Sequence, residues 1–315
     1  MNRKMPSAAL AFFIIGLLSF LALTNCATSA RPKEEASDAE FATAMSTGRA
    51  AFDQGLIEQA ATLYQRALER ARLMDSAREI GDAAYNLAAC HIRLGQYEKA
   101  RSYLAVAKSE VLIIQGDVTD ILLVEAKVAR LQNRPAEALA FTDQILSGAE
   151  SSSTKSYRLQ AHLLRGQIAC DKEDTAFAVR ELQMAEKLAA GISDIVLRAA
   201  LSHLAGRIYL IQKEPVKAGM EFDRQASLLR QAEQYDQMAR ALQSAAEAYL
   251  QAGKNRLAAD RFFRAARSSY AQGQNAAALK LGNLSLSAAD NAGDQRIAAR
   301  ARALLDEIET AAGRK

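Results

Sequence analysis

Small residues recur at a nearly constant interval among the apolar and polar positions of this chain, and each is followed twelve positions later by an alanine. The interval is about forty residues, which is typical of arrays of paired helices. In such arrays each pair buries its apolar face only by stacking on its neighbours. The small residues are Gly48, Ala88, Ala126, Gly166, Gly206 and Ala246, and the paired alanines are Ala60, Ala100, Ala138, Ala178, Ala218 and Ala258.

Local signals at the predicted turns agree with this register. Pro135 and Pro215 occupy the same place in the third and fifth units, and proline suits the first turn of a helix because its missing N–H has no intrahelical partner there. Asp174 takes the equivalent place in the fourth unit and can cap the helix that follows. The pattern needs no strand, so it predicts an all-α chain with helices of about seventeen residues.

The spacing within each unit resembles the tetratricopeptide repeat. In the first unit, Gly48 and Ala51 are followed by Gly55, Ala60 and Tyr64. In that family the first small residue lets two helices approach closely, a glycine or turn residue ends the first helix, and the alanine of the second helix lies at the closest crossing. The resemblance implies an α-α superhelix of about fourteen antiparallel helices with a concave inner face.

The same resemblance implies which side chains line that inner face. Its N-terminal half is basic with interleaved aromatic residues, which would suit an extended peptide with acidic side chains or a free C-terminus. The alternative is that these basic side chains only keep the helices soluble. The predicted inner-face residues are Met45, Arg49, Phe52, Tyr85, Arg93, Lys127, Arg130, Gln167, Asp171, His203, Arg207, Arg240, Gln243 and Glu247.

The N-terminal region has the pattern of an export signal, a short basic start followed by an apolar run from Ala8 to Leu23. The run is short for a membrane span, which needs about twenty residues. The four residues from Leu23 to Cys26 resemble a bacterial lipoprotein box, which implies cleavage before Cys26 and attachment of lipid to it. The predicted organisation is a signal peptide over residues 1–25, a flexible tether over residues 26–40 and the helical array over residues 41–312.

One residue of the box departs from the lipoprotein pattern, because Asn25 stands where Gly, Ala or Ser is usual. Two alternatives therefore stay open, namely ordinary secretory cleavage near Ala30 and an uncut N-terminal anchor. If Cys26 is lipidated, the family's inner-membrane retention signal, an aspartate, is absent from the next position, which holds Ala27. By that analogy the protein moves to the outer membrane and faces the periplasm.

The charge balance of the chain narrows the range of partners. The chain has 40 Lys and Arg against 36 Asp and Glu, and without a basic block or a stripe of aromatic residues we expect no nucleic-acid partner.

Cys90 and Cys170 lie about two repeats apart, or roughly 20 Å at the usual distance between helix axes. A disulfide needs Cα atoms within about 7 Å, so the sequence predicts two free, buried thiols.

Catalytic and metal-binding chemistry finds little support in the sequence. His91 and His162 take core positions of the repeat, and His203 falls where the inner face is expected. Since the three come from different units, they cannot meet at one metal ion without distorting the stack. There is no glycine-rich phosphate loop, nucleophile elbow or Cys-x-x-Cys pair, and we therefore expect no enzyme activity, metal or cofactor.

These features together predict an exported adaptor, anchored to the membrane through its N-terminal lipid, that binds a segment of another envelope protein. The alternative is a ligand-responsive or peptide-responsive sensor without a stable protein partner, since tetratricopeptide arrays with long helices include such regulators. The export signal argues against this alternative because those regulators are mostly cytoplasmic.

Overall fold

The computed structural model describes residues 38–148, 151 and 154–312, and in this part of the chain all regular structure is α-helical. The predicted signal peptide, Cys26 and most of the tether lie outside the described residues. Within the described ranges, no helix is both long and apolar enough to cross a bilayer. The helices are α1 Ala39–Asp53, α2 Ile57–Leu73, α3 Ala77–Arg93, α4 Tyr97–Ile113, α5 Thr119–Leu131, α6 Pro135–Ser147, α7 Lys155–Asp171, α8 Thr175–Ala189, α9 Ile195–Ile211, α10 Pro215–Gln231, α11 Tyr235–Gln251, α12 Asn255–Ala271, α13 Asn275–Ala292 and α14 Gln295–Ala312.

Consecutive helices form seven antiparallel pairs, and each odd-numbered helix opens a pair. Eight of the fourteen helices have seventeen residues, which confirms the expected length. The exceptions include α5 and α6, with thirteen residues each. They form the third pair, which follows the one step of the repeat, from Ala88 to Ala126, that is two residues short. The fold is the predicted all-α superhelix.

The turns inside the pairs share one backbone conformation. After α1, Gly55 adopts a φ of 79°, and the next N–H, that of Leu56, donates to the carbonyl of Ala51 over 2.9 Å. The left-handed conformation of Gly55 and the hydrogen bond from Leu56 back to Ala51 form a Schellman motif, which gives hydrogen-bond partners to carbonyls at the helix end. Asn133 and Lys213 adopt the same conformation with φ of 57° and 61°, although a side chain makes it less favourable than glycine does.

The predicted helix starts are confirmed. Pro135 and Pro215 are the first residues of α6 and α10. Asp174 caps α8, since its Oδ1 accepts a hydrogen bond from the backbone N–H of Phe177 over 3.0 Å. The six repeat alanines are fully buried at the crossings of the helices, as the register requires: Ala60, Ala100, Ala138, Ala178, Ala218 and Ala258.

The hydrophobic core is continuous at both ends of the array and divided in the middle. One large cluster of buried side chains extends from α1 to α5, and another extends from α9 to α14. Between them, smaller clusters join α5 to α7 and α7 to α9. The candidate site lies across this middle region.

Candidate functional site

Two neighbouring cavities lie on the odd-numbered helices. The first, of about 320 Å³, is lined by α1, α3 and α5, and the second, of about 370 Å³, by α5, α7 and α9. Both are lined by Lys127 and Leu131, so they adjoin at α5, and we call the two together the inner groove. Its other residues are Phe52, Tyr85, Ala89, Ile92, Arg93, Val124 and Val128 around the first cavity, and Arg130, Gln160, Leu163, Leu164, Gln167, Val196, Leu197 and Ala200 around the second.

The repeat pattern explains why these residues face the groove. Ala89, Lys127 and Gln167 each follow directly after the small residue of their unit. One residue turns an α-helix by about 100°, so the small residue packs against the partner helix while the next residue turns towards the inner face. Six of the predicted residues line the groove: Phe52, Tyr85, Arg93, Lys127, Arg130 and Gln167.

The surface of the groove exposes large apolar side chains. Leu131 is 52% exposed at the junction of the two cavities, and Val196 is 40% exposed in the second. Single exposed apolar residues are ordinary, but a concave apolar surface with a few polar groups is typical of a binding site.

Two basic residues of the predicted inner face are already paired. Asp171 accepts charged hydrogen bonds from Nε of Arg130 over 3.1 Å and from Nη2 of Arg207 over 2.9 Å. The shared carboxylate joins α5, α7 and α9 and offsets part of the positive charge at this end of the groove. Arg130 and Arg207 therefore stabilise the stack of odd-numbered helices.

Lys127 has a different environment. Its Nζ donates to Oε1 of Gln160 over 3.0 Å, and among residues 38–148, 151 and 154–312 no carboxylate forms an ion pair with it. Its side chain is open to solvent, yet the groove surrounds it with protein, and this partial burial lowers the pKa of its ammonium group. Lys127 is a cation with a free position for an anionic ligand.

Arg93 also lines the first cavity. Its guanidinium carbon is 5.7 Å from the centre of the Phe52 ring, which is within the range of a cation–π contact. In the described part of the chain no ion pair joins Arg93 to a carboxylate. The first cavity therefore has an aromatic wall and an uncompensated positive charge.

Two carboxylates that the repeat pattern did not single out, those of Asp82 and Asp120, interact with one another, and Asp120 also acts on Tyr85, but neither carboxylate lines either cavity. Burial raises the pKa of Asp82, with a further contribution from Glu79. Burial likewise raises the pKa of Asp120, and the charge of Asp120 adds to the burial that raises the pKa of Tyr85. Asp82 and Asp120 each lie six residues before the small residue of their units, and this shared offset is the signal that could have identified them.

Other predicted inner-face residues lie outside the two cavities. Arg49 is exposed on α1, Arg240 pairs with Asp236 of its own helix, and Gln243 donates to Glu247 over 2.8 Å. Arg240 and Gln243 are therefore bonded to residues of their own helix, and Arg49 is exposed to solvent.

His203 packs towards α10. Its Nδ1 is 3.3 Å from Oε1 of Gln225, and its ring centre is 5.9 Å from that of Phe222. Burial lowers the pKa of the imidazole, and the hydrogen bond to Gln225 opposes this effect. The arrangement favours the neutral ring and a packing role between α9 and α10.

The two remaining histidines are engaged in packing. His91 stacks on Tyr103 with ring centres 5.3 Å apart. His162 is buried, and its Nδ1 lies 2.6 Å from Oε2 of Glu181. Among the described residues, no group of three or more His, Cys, Asp or Glu side chains could hold a metal ion.

A larger cavity of about 700 Å³ lies between α8, α9 and α10. None of the predicted inner-face residues lines it. Arg224 and Glu221 on its rim lie 3.9 Å apart as a charge pair, so this part of its rim is locally neutralised. The inner groove is the candidate because six of the predicted inner-face residues line it, whereas none lines the larger cavity.

Comparison with known proteins identifies solved structures with a similar fold. No protein-family model matches the chain, and no curated protein matches it. The apo form of the quorum sensor NprR from B. thuringiensis covers 86% of this chain and 76% of its own, with a TM-score of 0.64 at 14% identity. The apo form of RapI covers 88% of this chain and all of its own, with a TM-score of 0.60 at 12% identity.

A third similar structure is PilW, described as a widely conserved type IV pilus biogenesis factor. It covers 72% of this chain and 92% of its own, with a TM-score of 0.53 at 17% identity. The chain has a tetratricopeptide-like helical-repeat fold. Its odd-numbered helices are the first helices of each repeat, so the inner groove lies on the helices to which the resemblance assigned the inner face.

Proposed function

We propose that this tetratricopeptide array is a scaffold that binds an extended segment of another protein in the inner groove. The observation that carries the proposal is the exposure of Leu131 and Val196 beside Lys127, which forms no ion pair with any carboxylate of the described residues. An apolar surface with a positive charge suits a peptide that supplies apolar side chains and a carboxylate. Such a surface can bind a peptide without catalysing a reaction.

We further propose that the scaffold is exported and anchored in the cell envelope by lipid on Cys26, facing the periplasm. The support is the apolar N-terminal run and the lipoprotein-like segment that ends at Cys26. The similarity in fold to PilW, a pilus biogenesis factor, agrees with a role in assembling an envelope complex. The partner is then another envelope protein.

Photocrosslinking in intact cells tests the groove. A photoreactive amino acid at Leu131 should form a discrete adduct with one protein, whereas the same amino acid at Leu112 should not. The two leucines make a matched pair because both are about half exposed, at 52% and 56%, and Leu112 lies on α4, outside the groove. Equal adducts at both positions, or none at Leu131, would refute the groove as the site.

Fatty-acid labelling in growing cells tests the anchor. The wild-type protein and Cys90→Ala should incorporate labelled palmitate, whereas Cys26→Ala should not. Incorporation that persists in Cys26→Ala, or that is absent from the wild-type protein, would contradict the lipoprotein proposal.

A peptide-responsive sensor is the second candidate, and the likeness to the quorum sensor NprR over most of the chain favours it. A sensor should be stabilised against heat by a small diffusible ligand in cell extract that passes a dialysis membrane. A scaffold should be stabilised only by the retained, protein fraction. The thermal midpoint in the two fractions separates these functions.

A further inference from the structure

We propose that the inner groove selects an extended segment with two apolar side chains six residues apart and one carboxylate between them, which pairs with Lys127. This inference rests on the proposed function, because it specifies the ligand of the same groove. It names a class of sequence that a partner must contain.

The spacing follows from the positions of the two cavities. The first is centred on α3 and the second on α7, with α5 between them. The axes of α5 and α7, which pack together, lie about 8 to 10 Å apart. Those of α3 and α5 lie at least as far apart, so the two steps make roughly 20 Å. An extended chain advances about 3.3 Å per residue, so about six residues span this distance.

The alternation of side chains selects the even spacing. Successive side chains of an extended chain point to opposite sides, so two residues reach the same wall only when an even number of positions separates them. Six residues therefore place both apolar side chains in the cavities. The residues two and four positions after the first point to the same wall and come nearest to α5.

Lys127 gives the central position its charge preference. It lines both cavities and lies at their junction with Leu131. Its bond to the neutral Gln160 leaves the charge uncompensated by any described carboxylate. A carboxylate of the ligand would form a charge-assisted hydrogen bond there, which is roughly twice as strong as a neutral one.

Selection from a display library of random decapeptides on the full chain tests the inference. Enriched peptides should carry two apolar residues six apart and a single Asp or Glu two or four positions after the first. Enrichment without the acidic residue would overturn the inference and leave the proposed function standing. Peptides that bind the groove should fail to bind the Leu131→Asp protein. If the library yields no peptide of this kind, both the inference and the proposed function are overturned.

A double-mutant cycle on an enriched peptide tests the pairing itself. Changing its acidic residue to the amide should weaken binding to the wild-type protein by about tenfold, the loss expected for a charged hydrogen bond. The same change should have no effect on binding to Lys127→Gln. Lys99→Gln on α4 is the matched control, since Lys99 is exposed outside the groove, and it should keep the tenfold effect. An undiminished effect with Lys127→Gln would contradict the pairing.

Discussion

The ring of Phe222 packs so closely on the backbone of Gly206 that a Cβ atom added to Gly206 would lie 2.6 Å from the ring. This contact joins α9 to α10 at the small position of the repeat. Phe222 is 2% exposed. Its position explains why this repeat requires glycine where other repeats carry alanine.

Gly206→Ala should therefore lower the free energy of unfolding by about 1 to 3 kcal/mol, as overpacking of a core does. Gly81→Ala is the matched control, because its new Cβ would meet its nearest neighbour at an ordinary 3.6 Å. Gly81→Ala should raise the free energy of unfolding by about 0.5 to 1 kcal/mol, because alanine favours the helix more than glycine does. Urea unfolding followed by circular dichroism measures both, and destabilisation of equal size in the two variants would show that steric contact with Phe222 is not the cause.

Glu181 should make the protein sensitive to acid. Burial alone would raise its pKa, but hydrogen bonds from His162 and Arg165 outweigh burial and leave the pKa lowered. A lowered carboxyl pKa gives stability that is present above the pKa of the unfolded chain, about 4.3, and is lost as the pH falls through the folded value.

At pH 7, Glu181→Gln should lower the free energy of unfolding by about 1 to 3 kcal/mol, since a charged hydrogen-bond acceptor is lost from a buried site. The difference from wild type should shrink when unfolding is measured below about pH 4. Glu186→Gln, at an exposed position of the same helix, should change stability by less than about 0.5 kcal/mol. A difference for Glu181→Gln that is constant from pH 3 to pH 7 would contradict the ionic role.

Asp82 should have the opposite dependence on pH. Its pKa is raised, chiefly by burial, so its charged form is unfavourable in the folded state and its contribution to stability falls as the pH rises through the folded value. Asp82→Asn should have a higher thermal midpoint than wild type at pH 7 and an equal one at pH 3. A lower midpoint for Asp82→Asn at pH 7 would mean that the carboxylate has a stabilising partner.

The two cysteines of the array should be unreactive in the folded protein. Cys90 and Cys170 are free and buried, as the repeat register predicted, and burial raises the pKa of Cys90 to about 11. At pH 8 only about one Cys90 in a thousand would be a thiolate, the form that reacts. In the Cys26→Ala protein, a thiol reagent should label both cysteines in denaturant and neither without it, and rapid native labelling would show that the array opens.

The architecture was predictable because the repeat fixes it through side-chain size. Gly206 and Ala218 must be small for α9 and α10 to cross, and Pro215 marks where the second helix begins. Turns with glycine, such as that at Gly55, were also predictable. Lys213 adopts the same left-handed conformation, which its own side chain does not favour and which the neighbouring helices impose.

The candidate site was predictable in position and only partly in charge. The repeat offset placed Lys127 and Arg130 on the inner face, where both line the groove. Asp171 pairs with Arg130, whereas Lys127 bonds to Gln160 and has no carboxylate partner in the part of the chain that the structure describes, and this difference depends on contacts between different repeats. Such contacts are set by rotamers and helix spacing, which a sequence period does not specify.

Crosslinking yield in cells tests most directly whether the inner groove binds a partner. A photoreactive amino acid at Val196 reports on the second cavity, and it is combined with Leu131→Asp or with Leu112→Asp. A charge in the apolar junction should reduce the adduct at Val196 by about tenfold or more, the loss expected at a binding hot spot, while Leu112→Asp should leave the yield unchanged. An equal yield of adduct in the two variants, with both proteins folded, would contradict binding in the inner groove.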